Sequence, residues 1–307
     1  MKRIAIDMDD VLAKTWDKIQ FNSDIHSLEE SILPYQYKMI RSKKIYDKIW
    51  NQLDQNPQIT FIASNVLEIQ QAESSAIVLT DAGSFSSTVV LNSILFSNKY
   101  KLQTKYPVLQ QHFVGFFIKT TEDSFNDDLA TFMDFKIPQK GNTRFMYILP
   151  FSKNEALFEY TLFSEKLLPI SEYEAEIETY LKENNITNFT ITEKEQGSIP
   201  MTCYHFWKNN SNNIIHIGTA GGWSKPSTGF TFKNTTKKTS QLIDHLKENK
   251  PLKISYKSFL KITTVLKAVA KCKTTVINIP WLSMLPRIVF ANSKCPLLLT
   301  GRNSVKP

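Results

Sequence analysis

Over much of the middle of this chain, hydrophobic and polar positions alternate with period two. Runs of β-branched and aromatic residues at 59–63, 76–79, 88–91, 113–118, 131–135, 144–149 and 156–163 are bounded by Asn, Asp, Gly or Pro, and they predict strands. An apolar run at 3–7 ending in acids predicts a strand at the start, and 189–192 and 214–217 predict two more. Helical spacing replaces alternation from Met39 through Tyr46, Ile49 and Leu53, and Asn56-Pro57 closes that segment. Ser171 to Glu174, just after Pro169, fits a capping box that opens a helix lasting to about Lys182. A further helix runs through Leu246. Beyond Pro251 lysines and apolar residues mix at roughly helical spacing, which fits either a basic amphipathic helix on a membrane or a surface helix packed on the domain. The order of elements is that of an α+β protein with an α/β edge: a mixed sheet with flanking helices.

Composition narrows the classes. With 307 residues, 42% hydrophobic and 21% charged, the chain is neither disordered nor fibrous. Its formal charge of +8 comes from scattered lysines, which reads as solubility and not as a nucleic-acid surface. Three cysteines, Cys203, Cys272 and Cys295, are too few and too far apart for a disulfide framework or a four-thiolate zinc site. Charges run through the first ten residues, and no stretch of about 18 uncharged apolar residues occurs, so a cytoplasmic location is expected. The first of nine glycines is Gly83. Neither a Gly-x-Gly-x-x-Gly turn nor a P-loop spacing is present.

Two local patterns carry chemistry. Ile215-His-Ile-Gly218-Thr-Ala-Gly221-Gly222 continues through Pro226-Ser-Thr-Gly229 into Phe230-Thr-Phe232. A strand ending in a glycine cluster ahead of a helix presents backbone N–H groups and the positive end of a dipole, which suits a phosphate or an electron-rich ring. The same spacing also describes a plain tight turn. In the second pattern, 156–163, alternation puts Glu159 and Thr161 on one face, opposite Phe158 and Tyr160. A glutamate facing an apolar pocket keeps its proton more readily and can act as a general acid; a solvent-facing glutamate does neither. His216 reads as a structural side chain.

The 215–232 segment resembles the second flavin-contacting stretch of bacterial and plant lycopene cyclases. Other parts match in the same order: Tyr37-Lys-Met-Ile-Arg41, Lys105 to Phe113, Ala130 to Phe135, Thr143 to Phe151, Glu155 to Thr161, and Gly197 to Met201. The resemblance covers roughly residues 30–250. It implies a flavin-monooxygenase-like architecture with five parts: a divergent strand-helix segment at 1–29, a partial FAD-binding portion at 30–110, a β-sheet substrate domain at 111–205, a second FAD-binding segment and helix at 206–250, and a divergent tail at 251–307. It implies reduced FAD as cofactor, with NAD(P)H as indirect reductant, and it implies Arg41, Gly218, Ala220, Gly221, Gly222, Pro226, Ser227, Thr228 and Gly229 as cofactor contacts. Glu159 becomes the acid-base residue of a redox-neutral closure of lycopene, or a related linear carotene, to a β-ionone ring. Peripheral contact with lipid at the inner face of the membrane goes with such a substrate. Phe132, Phe135, Phe145, Tyr147, Phe158 and Phe163 are candidate walls of an apolar tunnel or plain core. The missing early glycines and the altered tail depart from the family and suggest a truncated, fused or frameshifted relative.

The start carries a competing signal. Ile4-Ala-Ile-Asp7-Met-Asp9-Asp10 resembles the opening motif of haloacid-dehalogenase-type phosphatases. There the first aspartate attacks phosphorus and the second acts as general acid beside magnesium, roles that fall to Asp7 and Asp9. Ser64 or Thr80 and Asp127-Asp128 are the nearest imitations of that family's remaining parts.

Overall fold

The structure, a computed structural model, describes residues 8–247 and 297–299. In chain order the elements are β1 Leu12–Trp16, β2 Lys18–Asn22, β3 Ser27–Ser31, β4 Tyr37–Ile40, α1 Ser42–Leu53, β5 Val66–Gln71, β6 Ala76–Thr80, β7 Gly83–Ser87 and β8 Val90–Asn92. There follow α2 Lys99–Leu102, β9 Val108–Thr120, β10 Leu129–Asp134, β11 Thr143–Pro150, β12 Glu155–Ser164, α3 Ile170–Glu183, β13 Phe189–Thr202, β14 Ile214–His216, α4 Phe232–Lys247 and β15 Leu297–Leu299. Among the described residues, 8–47, 109–199 and 297–299 gather into one compact unit, and 48–108 with 200–247 into another.

The first unit is built on a seven-stranded mixed sheet in the order β13-β9-β12-β11-β10-β2-β3. Strands β9, β12 and β11 pair antiparallel in unbroken register, whereas β2 joins β10 in parallel. A second, small sheet pairs β1 with β4 antiparallel, and β15 runs parallel to β4. Period-two alternation gives the large sheet two apolar faces. One face, with Val114, Phe116, Phe158, Tyr160 and Leu162, is covered by α3. Tyr173, Ile177, Tyr180 and Leu181 form the buried stripe of that helix, at helical spacing, and each stabilises by about 1.5–3 kcal/mol. The opposite face, with Phe117, Phe145, Tyr147, Leu149 and Leu157, packs against Trp16 of β1 and Tyr37 and Met39 of β4.

A buried polar chain ties α3 to the sheet. Leu168 N–H donates to Tyr173 Oη, Tyr173 donates to His112 Nδ1 at 2.5 Å, His112 Nε2 donates to Ser164 Oγ at 2.7 Å, and Ser164 donates to the Lys166 carbonyl. Burial, and after it the Arg144 charge, bring the His112 imidazole down to about 4 from its ordinary 6.5. The unfolded chain therefore takes up this proton below about pH 6.5, while the folded chain resists until about pH 4. Stability from this group is complete above 6.5 and is lost as pH falls through that window. Urea midpoints measured from pH 7.5 to 4.5 should fall further in the wild type than in His112→Gln. Superimposed profiles would remove His112 as the cause.

In the second unit β5, β6 and β7 form an antiparallel meander, and β8 pairs in parallel with β14. Ile215, Trp223 and Leu242 of α4 make its small core, with Ile217 and Leu246 against it.

Several expectations need correction. The run at 59–63 forms no strand: Ile59, Phe61 and Ile62 are exposed, and Phe61 meets Trp50 edge-on at 4.4 Å. In the segment 1–29, expected to be a strand followed by a helix, the described residues from 12 onward form β1, β2 and the start of β3, and residues 30–47, expected in the partial FAD-binding portion, fold with the sheet unit. The capping box does not form, because α3 starts at Ile170 with Pro169 at the cap and no side chain capping it. Its far end closes with Asn185 in the left-handed region at φ 60°, where the sequence offers no glycine. The strand expected at 3–7 and the tail beyond Pro251, apart from β15, lie outside the described residues. Among the described residues no helix is long and apolar enough to cross a membrane.

Candidate functional site

Glu159 sits at the centre of β12, which is hydrogen-bonded on both sides. Alternation sends it to the face of Leu157 and Tyr147, so its carboxylate lies among aromatic rings and the residue is only 8% exposed. Thr161 Oγ1 donates to Glu159 Oε1 at 2.5 Å, an i, i+2 contact on one face. The direct cross-strand neighbours of Glu159 are Tyr147 of β11 and Gly115 of β9. Tyr37 of β4 completes the surround. Burial, and behind it the charge of Glu159, hold the Tyr37 phenol well above its ordinary value, so this hydroxyl keeps its proton.

The hydroxyls of Tyr37 and Tyr147 are both buried without a hydrogen-bond partner among the described residues. A buried unsatisfied hydroxyl costs about 1–3 kcal/mol. Tyr147 is the cross-strand partner of Glu159 and Tyr37 feels its charge, so both hydroxyls belong to the side of the sheet that carries this carboxyl. Of the expected tunnel walls, Phe132, Phe135, Phe145, Tyr147 and Phe163 gather on this face. Phe158 does not: it lies on the opposite face under α3.

Gly115 interrupts an otherwise bulky strand. A Cβ there would meet Glu195 Cγ and Leu157 Cδ1 at 3.0 Å and Glu195 Oε1 at 3.3 Å. The missing side chain is what allows Glu195 of β13 to lie over β9. Sequence reasoning passed over Tyr37, Glu195 and Gly115 as functional residues. The available signal was the glycine inside a strand, which marks a close approach.

Arg41 follows β4 directly. Its guanidinium stands 4.0 Å over the Phe117 ring and pairs with Glu193 of β13. The sheet unit alone thus accounts for its position.

The glycine segment belongs to the other unit. β14 ends at His216, whose backbone N–H and Nδ1 face Asn210 Oδ1 at 2.9 and 3.1 Å. Gly218, Gly222 and Gly229 all take positive φ, at 57°, 68° and 65°. At Gly221 a Cβ would stand 2.2 Å from the His216 carbonyl oxygen. The turn is closed by its own bonds: Gly221 N–H to Ile217 O, Gly222 N–H to Thr219 O and Trp223 N–H to Gly218 O. These three N–H groups point inward, and α4 begins only at Phe232, so the cluster is not the free-amide phosphate cradle that spacing suggests. Its outer side is open at Gly218, where a Cβ would meet nothing within 4 Å. Such a surface fits a flat ring laid against backbone better than a pyrophosphate. Behind it Pro226, Ser227 and Thr228 form a second turn, closed by Gly229 N–H to Lys225 O at 2.8 Å. Ala220 is buried. Lys238 lies 5.6 Å over the Trp223 ring, and burial brings its ammonium down to about 8.

Among the described residues the phosphatase pattern finds no site. Asp9 lies in a single 3-10 turn and is ion-paired with Lys38 at 2.7 Å, while Asp7 lies outside the described residues. Ser64 donates to Asp81, and Asp127 is engaged by Lys14 at 2.7 Å. Among the described residues no group of three metal-binding side chains converges.

Comparison with known proteins gives a family match. The model of a family described as lycopene cyclase protein matches residues 2–267. Lycopene beta-cyclase of Paracoccus sp. is 28% identical over 126 residues, which cover 39% of this chain and 32% of that protein, so the alignment spans about a third of the relative's length. Among solved structures, a geranylgeranyl bacteriochlorophyll reductase-like protein of Thermoplasma acidophilum superposes with a TM-score of 0.55 at 10% identity, over 81% of this chain and 68% of that one. A triple mutant of the flavin-dependent brominase Bmp2 superposes with a TM-score of 0.58 at 10% identity, over 93% and 78%. At these identities the likeness is one of fold.

Proposed function

Because this chain belongs to the lycopene cyclase family, we propose that it closes the end of a linear carotene into a β-ionone ring by acid-base catalysis, an isomerisation in carotenoid biosynthesis. The observation that carries the reading is the carboxyl of Glu159, buried on an aromatic face between Tyr147 and Gly115. Thr161 Oγ1 donates to Oε1 and orients the carboxyl, which supplies the proton to a terminal double bond. The carbocation so formed must be kept from water, and the rings of Tyr37, Phe132 and Tyr147 supply both a dry wall and π faces that attract positive charge. Tyr37 keeps its proton beside Glu159 and acts as a neutral dipole.

Gly218, Ala220, Gly221, Gly222, Pro226, Ser227, Thr228 and Gly229 are the residues that would hold FAD, and the open backbone at Gly218 supports a flat ring there. When bound and kept reduced by NAD(P)H, FAD supplies an electron-rich ring that favours cationic transition states. Arg41 is retained in this reading as a cofactor contact only if its bond to Glu193 gives way. A carotene lives in lipid, so the reading includes peripheral contact with the inner face of the membrane.

The test is expression of the full chain in cells that accumulate lycopene, followed by pigment chromatography and an absorbance spectrum of the purified protein. Conversion of red lycopene to β-ring products, with flavin bands on the protein, is expected. Unchanged lycopene together with flavin-free protein would overturn the reading.

A further inference from the structure

We propose that Glu195 is the base that removes the proton ending the ring closure, in partnership with Glu159 as the acid. The proposal rests on the ring-closing reading above. Three observations converge. Strands β12, β9 and β13 are consecutive in the sheet, so Glu159 and Glu195 stand on strands with one strand between them, roughly 9–10 Å apart across the sheet. Between them, directly across from Glu159, is Gly115, and the space of its missing side chain is filled by the Glu195 side chain beside Leu157. The hydroxyls of Tyr37 and Tyr147, on the same side of the sheet, are buried without a hydrogen-bond partner among the described residues, which leaves them able to bind a polar or cationic group there.

The two carboxyls divide the chemistry. Glu159 gives its proton to a terminal double bond: its O–H bond breaks, a C–H bond forms and positive charge appears on carbon. The neighbouring double bond then gives its electron pair to a new C–C bond, which closes the ring and moves the charge into it. Glu195 takes a proton from the adjacent ring carbon, and the pair of that C–H bond becomes the ring double bond. Glu159 ends ionised and Glu195 protonated; a proton passing over Gly115 resets both. No electron is gained or lost. A donor and an acceptor on different strands serve two different ring carbons, which one carboxylate fixed by Thr161 does poorly.

The test uses the full purified chain with FAD, NAD(P)H and lycopene in phospholipid vesicles, run in deuterated buffer, with products resolved by chromatography and NMR. The wild type should give β rings alone, labelled at the site of protonation. Glu195→Gln should still label the carotene, because Glu159 still acts, while β-ring formation falls by about 10²-fold and rings with a displaced double bond or a captured hydroxyl appear. Glu195→Asp should restore the β ring as sole product at a reduced rate. If Glu195→Gln gives β rings with wild-type rate and purity, or if both variants fold yet leave the carotene unlabelled, Glu195 is not the base although ring closure by the wild type stands. If the wild type leaves lycopene untouched, the ring-closing reading fails and takes this proposal with it.

Discussion

Glutamine in place of Glu159 should lower ring formation by about 10²–10⁴-fold and leave the fold intact. The amide matches the carboxyl in shape, and its oxygen still accepts the Thr161 hydroxyl, so the aromatic face closes around it unchanged. What disappears is the transferable proton. Burial sharpens the expectation: with the residue 8% exposed, water has little access to replace the donor. The measurement is product formed per unit time, with a thermal melt on the same sample. An undiminished rate would move the acid elsewhere, whereas a collapsed melting temperature would make the variant uninformative about chemistry and call for Glu159→Asp, which keeps the proton on a shorter arm. An undiminished rate in Glu159→Asp together with a dead Glu159→Gln would support the acid role; equal loss in both would tie it to geometry.

Alanine at Gly221 should cost about 3 kcal/mol and, if the proposed flavin contact of this turn holds, strip the protein of flavin. Its Cβ would stand 2.2 Å from a backbone oxygen, that of His216, and 2.9 Å from Trp223 Nε1. A backbone atom held in a parallel strand pair cannot swing aside like the tip of a flexible side chain. Gly218→Ala is the useful contrast. There the added methyl meets open space, and the cost is the positive φ alone, about 1–2 kcal/mol. Urea midpoints and the flavin-to-protein absorbance ratio of the two variants separate a packing defect from a lost ring contact. Equal stability of Gly221→Ala and wild type would mean that the turn is not the tight one described.

Much of the sheet was legible in the sequence because its physics is local. Alternation along 156–163 alone puts Glu159 and Thr161 on one face and Phe158 and Tyr160 on the other, and the structure has them so. The α3 stripe of Tyr173, Ile177, Tyr180 and Leu181 is legible for the same reason. Longer-range consequences were not. Tyr37 reaches Glu159 from a strand more than a hundred residues earlier, and no periodicity records that encounter. Phe158 carries the same aromatic signal as Phe145, yet only the side of the sheet that α3 occupies decides which of them shares the face of Glu159. The glycine cluster reads as a phosphate cradle until φ values turn three of its N–H groups inward. The apolar run at 59–63 has strand composition, but among the described residues no strand pairs with it, and Phe61 settles against Trp50 instead.

The parallel pairing of β2 with β10 sets a timetable for the ribosome. Lys18 to Asn22 emerge first, and the strand they need, Leu129 to Asp134, is translated more than a hundred residues later. At about 5–20 residues per second the wait is on the order of 5–20 seconds. During that interval Ile19 and Phe21, destined for the interior, have only the short hairpin with β3 to shelter them. The nascent chain is a natural client for a holding chaperone over that window, and slowing translation between Ser31 and Leu129 would lengthen its exposure.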